Sequence, residues 1–276
     1  MKENFSRMSE REDAMRLQVY MAKCGVGGRR FCETLIADGR VMVNNRTVRE
    51  MGVKVLPEDI VQVDGETIEL TDKLYYIALN KPRGYVCTNY DPKEDRYARD
   101  LIQIRDQHLL FNVGRLDKES NGLILFTNDG DFANKVTHPR CEIEKEYIVH
   151  LDRKPEAEDL HKALKGLYID MSQPYRIKSF SYMPRRDYVR IVLTEGKNRE
   201  IRKIFSYLGY EVKGLTRVRI GCIELGRLEP GDFRNLSRRE IDGLLAGKTS
   251  LDGSPRRMVA AKKSRQSSTK KLEGKA

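Results

Sequence analysis

The sequence predicts an α+β protein in which a small α/β module precedes a larger domain built on a mixed, largely antiparallel sheet. Predicted helices and strands follow one another in no regular order, whereas a parallel sheet requires a regular βαβ repeat. The dipeptide Asp64-Gly65 separates two short apolar segments, a pattern typical of a tight hairpin turn. The chain has 276 residues, which is long enough for more than one domain.

The first predicted module covers residues 16–70, after a polar and flexible N-terminus at residues 1–15. Apolar residues at helical spacing predict two short helices, one on each side of the turn at residues 25–28. Alternating apolar residues then predict three strands. The helical pattern is carried by Leu17, Tyr20, Met21, Phe31, Leu35 and Ile36, and the strand pattern by Val41, Val43, Ile60, Val61, Val63, Thr67, Ile68 and Leu70.

A second and larger domain is predicted over residues 73–247, followed by a disordered basic tail at residues 248–276. Apolar segments bounded by turn residues predict strands, and apolar residues on one face predict helices. Ser237 is placed to cap the last helix. The strands are predicted at residues 75–79, 123–127, 147–151 and 188–193, and the helices at residues 155–164, 199–208 and 236–245.

The net charge of the chain is +11, which indicates an anionic partner, most commonly nucleic acid. Part of this charge belongs to the predicted tail, because residues 248–276 hold nine basic and two acidic side chains. The rest of the chain carries a smaller excess. Charge alone therefore indicates nucleic-acid binding without identifying the surface that binds.

The sequence shows no pattern of a metal or cofactor site. The five cysteines and four histidines are scattered, and no pair has the spacing of zinc ligands or of a disulfide framework. Nucleotide-binding loops, a nucleophile elbow and a zincin helix are also missing from the sequence. The N-terminus has no apolar signal segment, and no apolar run reaches the roughly 20 residues that span a bilayer. We expect a cytoplasmic protein without a metal, a cofactor or a membrane partner.

Basic residues cluster around the glycine-rich turn of the first module. Residues 16–17, 23–30 and 35–44 resemble the S4 RNA-binding domain. Two short helices joined by such a turn can present basic side chains to the phosphates of folded RNA. Because residues 16–70 hold eight basic and eight acidic side chains, the RNA contact must come from clustering. The residues expected to make it are Lys23, Arg29, Arg30 and Arg40.

The most informative segment is residues 114–123, with the sequence Gly-Arg-Leu-Asp-Lys-Glu-Ser-Asn-Gly-Leu. Taken alone, it is a glycine-flanked loop entering a buried strand, and Asp117 is either a turn residue or a carboxylate displayed at a site. The segment resembles the sequence around the nucleophile of pseudouridine synthases. Further motifs of that family occur in order at residues 80–84, 144–147 and 193–202. Behind an S4 domain, these motifs resemble the RsuA/RluB/RluE/RluF group over residues 16–245.

This resemblance implies an enzyme that converts uridine in RNA to pseudouridine. The reaction breaks the C1′–N1 bond and rejoins the ribose to the base through C5, which requires a carboxylate nucleophile and no cofactor. Asp117 is the implied nucleophile, and Arg202 is the implied cation that favours its ionised form. Tyr147 is the implied platform for the target base. Arg115 is implied to fill the gap that the flipped nucleotide leaves.

The same resemblance assigns further roles around the site. It implies that Lys197 and Arg199 contact RNA. Lys81 and Pro82 are expected to support the nucleophile loop, which Gly114 and Gly122 flank.

The implied partner is ribosomal RNA, free or in a ribosome-assembly intermediate, and we expect a monomer. Residues 125–131, with the following His138-Pro139, resemble the RluB branch and favour large-subunit (23S) RNA. The same reaction on small-subunit rRNA or tRNA is an alternative. An alternative of another class is a non-catalytic RNA-binding or ribosome-assembly protein, although pure binding needs no carboxylate facing an anionic ligand.

Overall fold

A computed structural model describes residues 14–88, 93–170, 173–251 and 259–260. The α-helices are α1 (Leu17–Lys23), α2 (Arg29–Ala37), α3 (Gly130–Thr137), α4 (Ala157–Lys165), α5 (Glu200–Tyr207) and α6 (Arg238–Leu245). The strands are β1 (Met15–Arg16), β2 (Val41–Val43), β3 (Arg46–Val48), β4 (Lys54–Val55), β5 (Val61–Val63), β6 (Glu66–Ile68), β7 (Tyr76–Lys81), β8 (Phe111–Val113), β9 (Asn121–Thr127), β10 (Lys145–Leu151), β11 (Ser179–Tyr182), β12 (Tyr188–Leu193), β13 (Val212–Ile220), β14 (Ile223–Glu224), β15 (Phe233–Asn235) and β16 (Val259–Ala260).

The described residues fall into two compact units. The first is formed by residues 14–143 and 216–251, and the second by residues 144–215 and 259–260. The first unit thus contains both the N-terminal module and the loop at residues 114–123. In the described part of the chain, no helix combines the length and the apolar character needed to cross a membrane.

The N-terminal module has the two predicted helices and the three predicted strands, β2, β5 and β6, and it also has β1, β3 and β4, which the sequence does not predict. Its antiparallel sheet has the order β3-β2-β5-β6. The φ angles are 50° and 63° at Asn44 and Asn45, and 52° and 86° at Asp64 and Gly65. Positive φ at both central residues is the requirement of a type I′ hairpin turn. The buried core of the module consists of Leu17, Tyr20, Met21, Cys32, Leu35, Ile36, Val41, Val55, Val61 and Val63.

The rest of the first unit is organised around β7 and β9. The strand order is β15-β7-β9-β13, with β8 also paired to β9 and β14 to β13. These pairings are antiparallel except that of β9 with β13. The largely antiparallel sheet is therefore confirmed. Its core includes Ala78, Val113, Leu123, Leu125, Phe132, Ile220, Ile223 and Leu244.

The second unit contains the antiparallel strand order β10-β12-β11-β16 together with α4 and α5. The strand β16 lies within the segment that the sequence predicts as a disordered tail, and the sequence does not predict this strand. Most of that segment, residues 252–258 and 261–276, lies outside the described residues. The predicted flexible N-terminus lies outside them as well, up to residue 13.

Helix capping explains one success and one error of the sequence analysis. Ser237 caps α6 as predicted, in a capping box with Glu240. After the strand predicted at residues 123–127, no helix is predicted before residue 155, because Asn128-Asp129-Gly130 is typical of a turn that ends a strand. Instead, an Asp129 carboxylate oxygen accepts hydrogen bonds from the N–H groups of Asp131 and Phe132, at 2.9 and 3.0 Å. It therefore caps α3, a helix that the sequence analysis missed.

Candidate active site

The loop at residues 114–120 joins β8 to β9, and together with the first three residues of β9 it forms the nucleophile loop, residues 114–123. Its two glycines have positive φ, 75° at Gly114 and 102° at Gly122. A Cβ atom on Gly122 would lie 2.3 Å from the carbonyl oxygen of Arg217 in β13, so this position requires glycine. Within the loop, the N–H of Ser120 donates to the carbonyl of Asp117 at 3.0 Å, which closes a tight turn.

The charged neighbours of Asp117 are engaged in exposed ion pairs. Lys118 pairs with Glu94 at 2.6 Å, and Glu119 pairs with Arg83 at 3.0 Å. Asp117 itself is partly exposed. The loop can therefore present the Asp117 carboxylate while its neighbours contribute to the attachment of the loop.

Lys81, at the end of β7, is fully buried beside this loop. Its Nζ donates to the carbonyl oxygens of Ser120 at 2.7 Å, of Pro82 at 2.9 Å and of Lys118 at 3.4 Å. Burial lowers the pKa of Lys81, and the nearby Asp117 partly opposes that shift. These contacts join Lys81 to the backbone of the loop, and the supporting role of Lys81 and Pro82 stays a prediction.

Arg115 lies two residues before Asp117, and its side chain is exposed. Its backbone carbonyl, in contrast, is held by the buried side chain of Arg217 at 3.3 Å. The backbone is thus fixed while the guanidinium group extends to the surface. The first unit brings together all the residues predicted for the nucleophile loop, namely Lys81, Pro82, Gly114, Arg115, Asp117 and Gly122.

Sequence reasoning missed Arg217 and Cys87. Arg217 is 3% exposed, and the Cys87 sulfur accepts the N–H of Leu116 at 3.4 Å. The sequence around Arg217 alternates polar and apolar residues, which signals a strand. That signal would place Arg217 on the solvent face, whereas the structure buries it together with Leu215 and Arg219.

Tyr147 and Arg202 belong to the second unit. Tyr147 lies in β10 opposite Ile191 and is 7% exposed. Its hydroxyl forms no hydrogen bond with the residues that the structure describes, although buried tyrosine hydroxyls usually have a partner. Arg202 lies in α5, where its Nη1 donates to the carbonyl of Val212 at 3.2 Å.

The segment before α5 holds the two other residues expected to bind RNA. Arg199 is exposed and has a left-handed backbone conformation, with φ at 50°. Lys197 is engaged within the protein, because its Nζ contacts Glu195 at 2.9 Å and the Pro174 carbonyl at 2.8 Å. Burial raises the pKa of Glu200 to about 7, although its carboxylate accepts the N–H of Lys197.

The basic residues of the N-terminal module differ in their freedom to bind phosphate. Lys23, Arg29 and Arg30 are exposed around the glycine turn. Arg40 is also exposed, but its guanidinium group forms two hydrogen bonds with Asp64, at 2.8 and 2.6 Å. Lys23, Arg29 and Arg30 therefore remain the stronger candidates for phosphate contacts.

Comparison with family models gives two matches. The model of RNA pseudouridylate synthases matches residues 75–207, and the model of the S4 domain matches residues 15–61. The first match covers the nucleophile loop, Tyr147 and Arg202. The second covers the two helices around the glycine turn.

Similar proteins agree with these matches. The chain is 39% identical to an RNA pseudouridine synthase of Mycobacterium leprae, over 86% of this chain and 94% of that protein. It is 36% identical to the ribosomal large subunit pseudouridine synthase B of Bacillus subtilis, over 84% and 96% respectively. A crystal structure of a pseudouridylate synthase aligns with a TM-score of 0.62 at 27% identity, over 83% of this chain and 99% of that one. The chain belongs to the RNA pseudouridine synthase family, in its S4-containing RsuA/RluB group, and is an enzyme that isomerises uridine in RNA.

Proposed function

We propose that the protein isomerises a specific uridine in ribosomal RNA, and that this uridine lies in the large-subunit (23S) RNA. The support is the similarity to the large-subunit synthase of Bacillus subtilis, which extends over nearly the whole of that protein. The resemblance of residues 125–131 to the RluB branch points the same way. The alternative substrates are small-subunit rRNA and tRNA, whereas a non-catalytic assembly factor does not fit the family.

Asp117 is the proposed nucleophile. The observation that carries this assignment is the attachment of its loop, in which Lys81 holds the carbonyls of Lys118 and Ser120. A reacting group must be held close to its productive geometry, and a loop held through its backbone carbonyls can fix the position of the carboxylate that it carries. A simple turn would not require a buried lysine to hold it.

The proposed chemistry balances without a co-reactant, because pseudouridine is an isomer of uridine. The Asp117 carboxylate adds to C1′ of the ribose or to C6 of the base and is released at the end of the cycle. The C1′–N1 bond breaks, the base turns, and a bond forms between C1′ and C5. A proton leaves C5, and N1 takes one up.

The base must leave the RNA stack before Asp117 can reach it. Arg115 is the proposed residue that fills the vacated space, because its exposed side chain extends from the nucleophile loop itself. Tyr147 is the proposed platform for the flipped base, and Arg202 is the proposed cation for the nucleophile. Lys23, Arg29, Arg30 and Arg199 are proposed phosphate contacts, whereas the structure gives weaker support for Arg40 and Lys197.

Pseudouridine mapping across all ribosomal and transfer RNA tests this proposal. RNA would be compared from cells with the gene, without it, and with the gene carrying Asp117→Asn. We expect one pseudouridine in large-subunit RNA to be missing in the last two strains and present in the first. A site missing instead from small-subunit rRNA or tRNA would contradict the substrate. A site that the Asp117→Asn gene restores would contradict the nucleophile.

A further inference from the structure

We infer that Arg217 is a positioning residue for the nucleophile: its buried guanidinium group fixes both ends of the loop that carries Asp117. The inference rests on Asp117 being the nucleophile, as proposed above. It extends that proposal by assigning a role in turnover to a residue that does not itself react.

The hydrogen bonds of Arg217 lie on both sides of Asp117. Its Nε donates to the carbonyl of Leu123 at 2.7 Å, and its Nη1 donates to the carbonyl of Arg115 at 3.3 Å. These carbonyls stand two residues before the nucleophile and six residues after it. A guanidinium group is planar and rigid, so one side chain sets the separation of the two ends of the loop.

The backbone of Arg217 is held against the same loop. In the parallel pairing of β13 with β9, Arg217 stands opposite Gly122. A Cβ on Gly122 would lie 2.3 Å from the carbonyl oxygen of Arg217 and 2.8 Å from its nitrogen. This close approach leaves little space for β13 to shift relative to the loop.

The environment of Arg217 is unfavourable for a residue that serves stability alone. The side chain is 3% exposed, and its buried Nη2 has no hydrogen-bond partner among the residues described. Arg217 also forms no ion pair with a carboxylate among the residues that the structure describes. Buried donors and charges without partners destabilise a fold, and such departures are expected mainly at functional sites.

Lys81 completes the attachment from the other neighbouring strand, β7. It holds the carbonyls of Lys118 and Ser120, while Arg217 holds those of Arg115 and Leu123. The two buried cations therefore bind the loop backbone immediately around Asp117 and at both of its ends. Loss of Arg217 would remove the side-chain hydrogen bonds at both ends and leave the contacts of Lys81 and the pairing of β9 with β7 in place. This should displace the carboxylate without unfolding the loop.

The test compares Arg217→Met, Arg217→Lys and the matched control Arg219→Met. Arg219 lies in the same strand and is 2% exposed, but its Nη1 donates to the carbonyls of Gly221 and Thr249. Single-turnover rate and affinity would be measured on an unmodified rRNA fragment, below the Tm of every variant. We expect the Arg217→Met rate to fall by about 100-fold, as for a nucleophile displaced by about 1 Å, with RNA affinity unchanged within about twofold.

Arg217→Lys keeps the charge but cannot span both carbonyls, so we expect it to recover only part of the rate. The control Arg219→Met should lose stability and keep its rate. Arg217 variants that fold and react like the wild type would overturn the inference, as would an equal loss of rate in Arg219→Met. If Arg217→Met does not fold, a wild-type rate in Arg217→Lys would overturn it as well. An active Asp117→Asn variant in the same assay would instead overturn the nucleophile assignment.

Discussion

At the scale of single residues, the nucleophile assignment makes the most direct prediction. Asp117→Asn replaces a carboxylate oxygen by an amide nitrogen of similar size, so the attachment of the loop should persist. We expect turnover of an unmodified rRNA fragment to become undetectable while its affinity stays nearly unchanged. Single-turnover assays and equilibrium binding measure the two quantities. Substantial activity in this variant would show that another group attacks the substrate.

Tyr147 makes a prediction that separates its ring from its hydroxyl. Because the hydroxyl makes no hydrogen bond with the described residues, Tyr147→Phe should leave the Tm unchanged. The reaction must remove a proton from C5, and a hydroxyl without a structural partner is available for that step. We therefore expect turnover to fall by about 100-fold. Unchanged turnover would limit Tyr147 to stacking, and a folded, active Tyr147→Ala would remove it from the site.

Glu200 predicts a pH dependence of stability. Burial raises its pKa in the folded protein to about 7, above the ordinary value of 4.5. Between these values the folded state holds a proton that the unfolded state releases, so this group makes the free energy of unfolding fall as pH rises from 4.5 to 7. Glu200→Gln retains an oxygen that can accept the Lys197 N–H, and it should remove this slope.

Urea denaturation from pH 4.5 to pH 8 measures this effect. We expect Glu200→Gln to match the wild type near pH 4.5 and to exceed its stability at pH 8. Glu158→Gln is the control, because Glu158 is exposed and is not among the charged groups that shift the pKa of Glu200, so the slope should stay in place. Parallel pH profiles of wild type and Glu200→Gln would contradict the raised pKa.

At the scale of elements, the sequence predicted a turn and a helix cap that depend only on residues close together in the chain. The turn at Asp64-Gly65 and the cap of α6 at Ser237 depend on residues close together in sequence, and both were predicted. The helix α3 was missed because Asn128-Asp129-Gly130 is typical of a turn, while Asp129 is equally suited to cap a helix. The Arg217 side chain points inward because it donates hydrogen bonds to carbonyls about 100 residues earlier in the chain. A local sequence pattern contains no information on such distant partners.

The pairing of β9 with β13 makes an element-scale prediction through Gly122. Gly122→Ala requires both an unfavourable positive φ and a Cβ in contact with the backbone of Arg217. We expect it to lower the free energy of unfolding by more than about 2 kcal/mol. Gly226→Ala is the matched control, since Gly226 has φ at 61° but nothing within 4 Å of an added Cβ. Gly226→Ala should lower the free energy of unfolding by about 1–2 kcal/mol, because only the positive φ is unfavourable there. Equal losses in urea denaturation would show that contact with β13 is unimportant.

At the scale of the whole molecule, family motifs assigned roles to particular residues, whereas patterns of charge indicated only an anionic partner. The motifs point to Asp117 in the loop before β9, Tyr147 in β10 and Arg202 in α5. Counting charges could not distinguish exposed cations from engaged ones, because the difference lies in partners distant in sequence. Arg40 is paired with Asp64, 24 residues away, and Lys197 contacts the carbonyl of Pro174, 23 residues away.

This difference between free and engaged cations predicts how RNA affinity depends on salt. Lys23, Arg29 and Arg30 are exposed around one turn, whereas the guanidinium of Arg40 is already bound to Asp64. Each phosphate contact contributes a slope of roughly 0.7–0.9 log units of affinity per decade of salt. Replacing the three exposed cations by Gln in the full chain should therefore flatten the slope by about two units or more.

Arg40→Gln serves as the control for this measurement, and we expect it to change the slope by much less than one unit. Turnover at saturating RNA should persist in all these variants, because none of the replaced residues is assigned to the reaction. Affinity and turnover on one rRNA fragment across a salt series supply every comparison. If Arg40→Gln flattens the slope as much as a single replacement at the glycine turn, RNA competes with Asp64 for Arg40. The phosphate-binding surface would then extend from the turn at residues 25–28 to the start of β2.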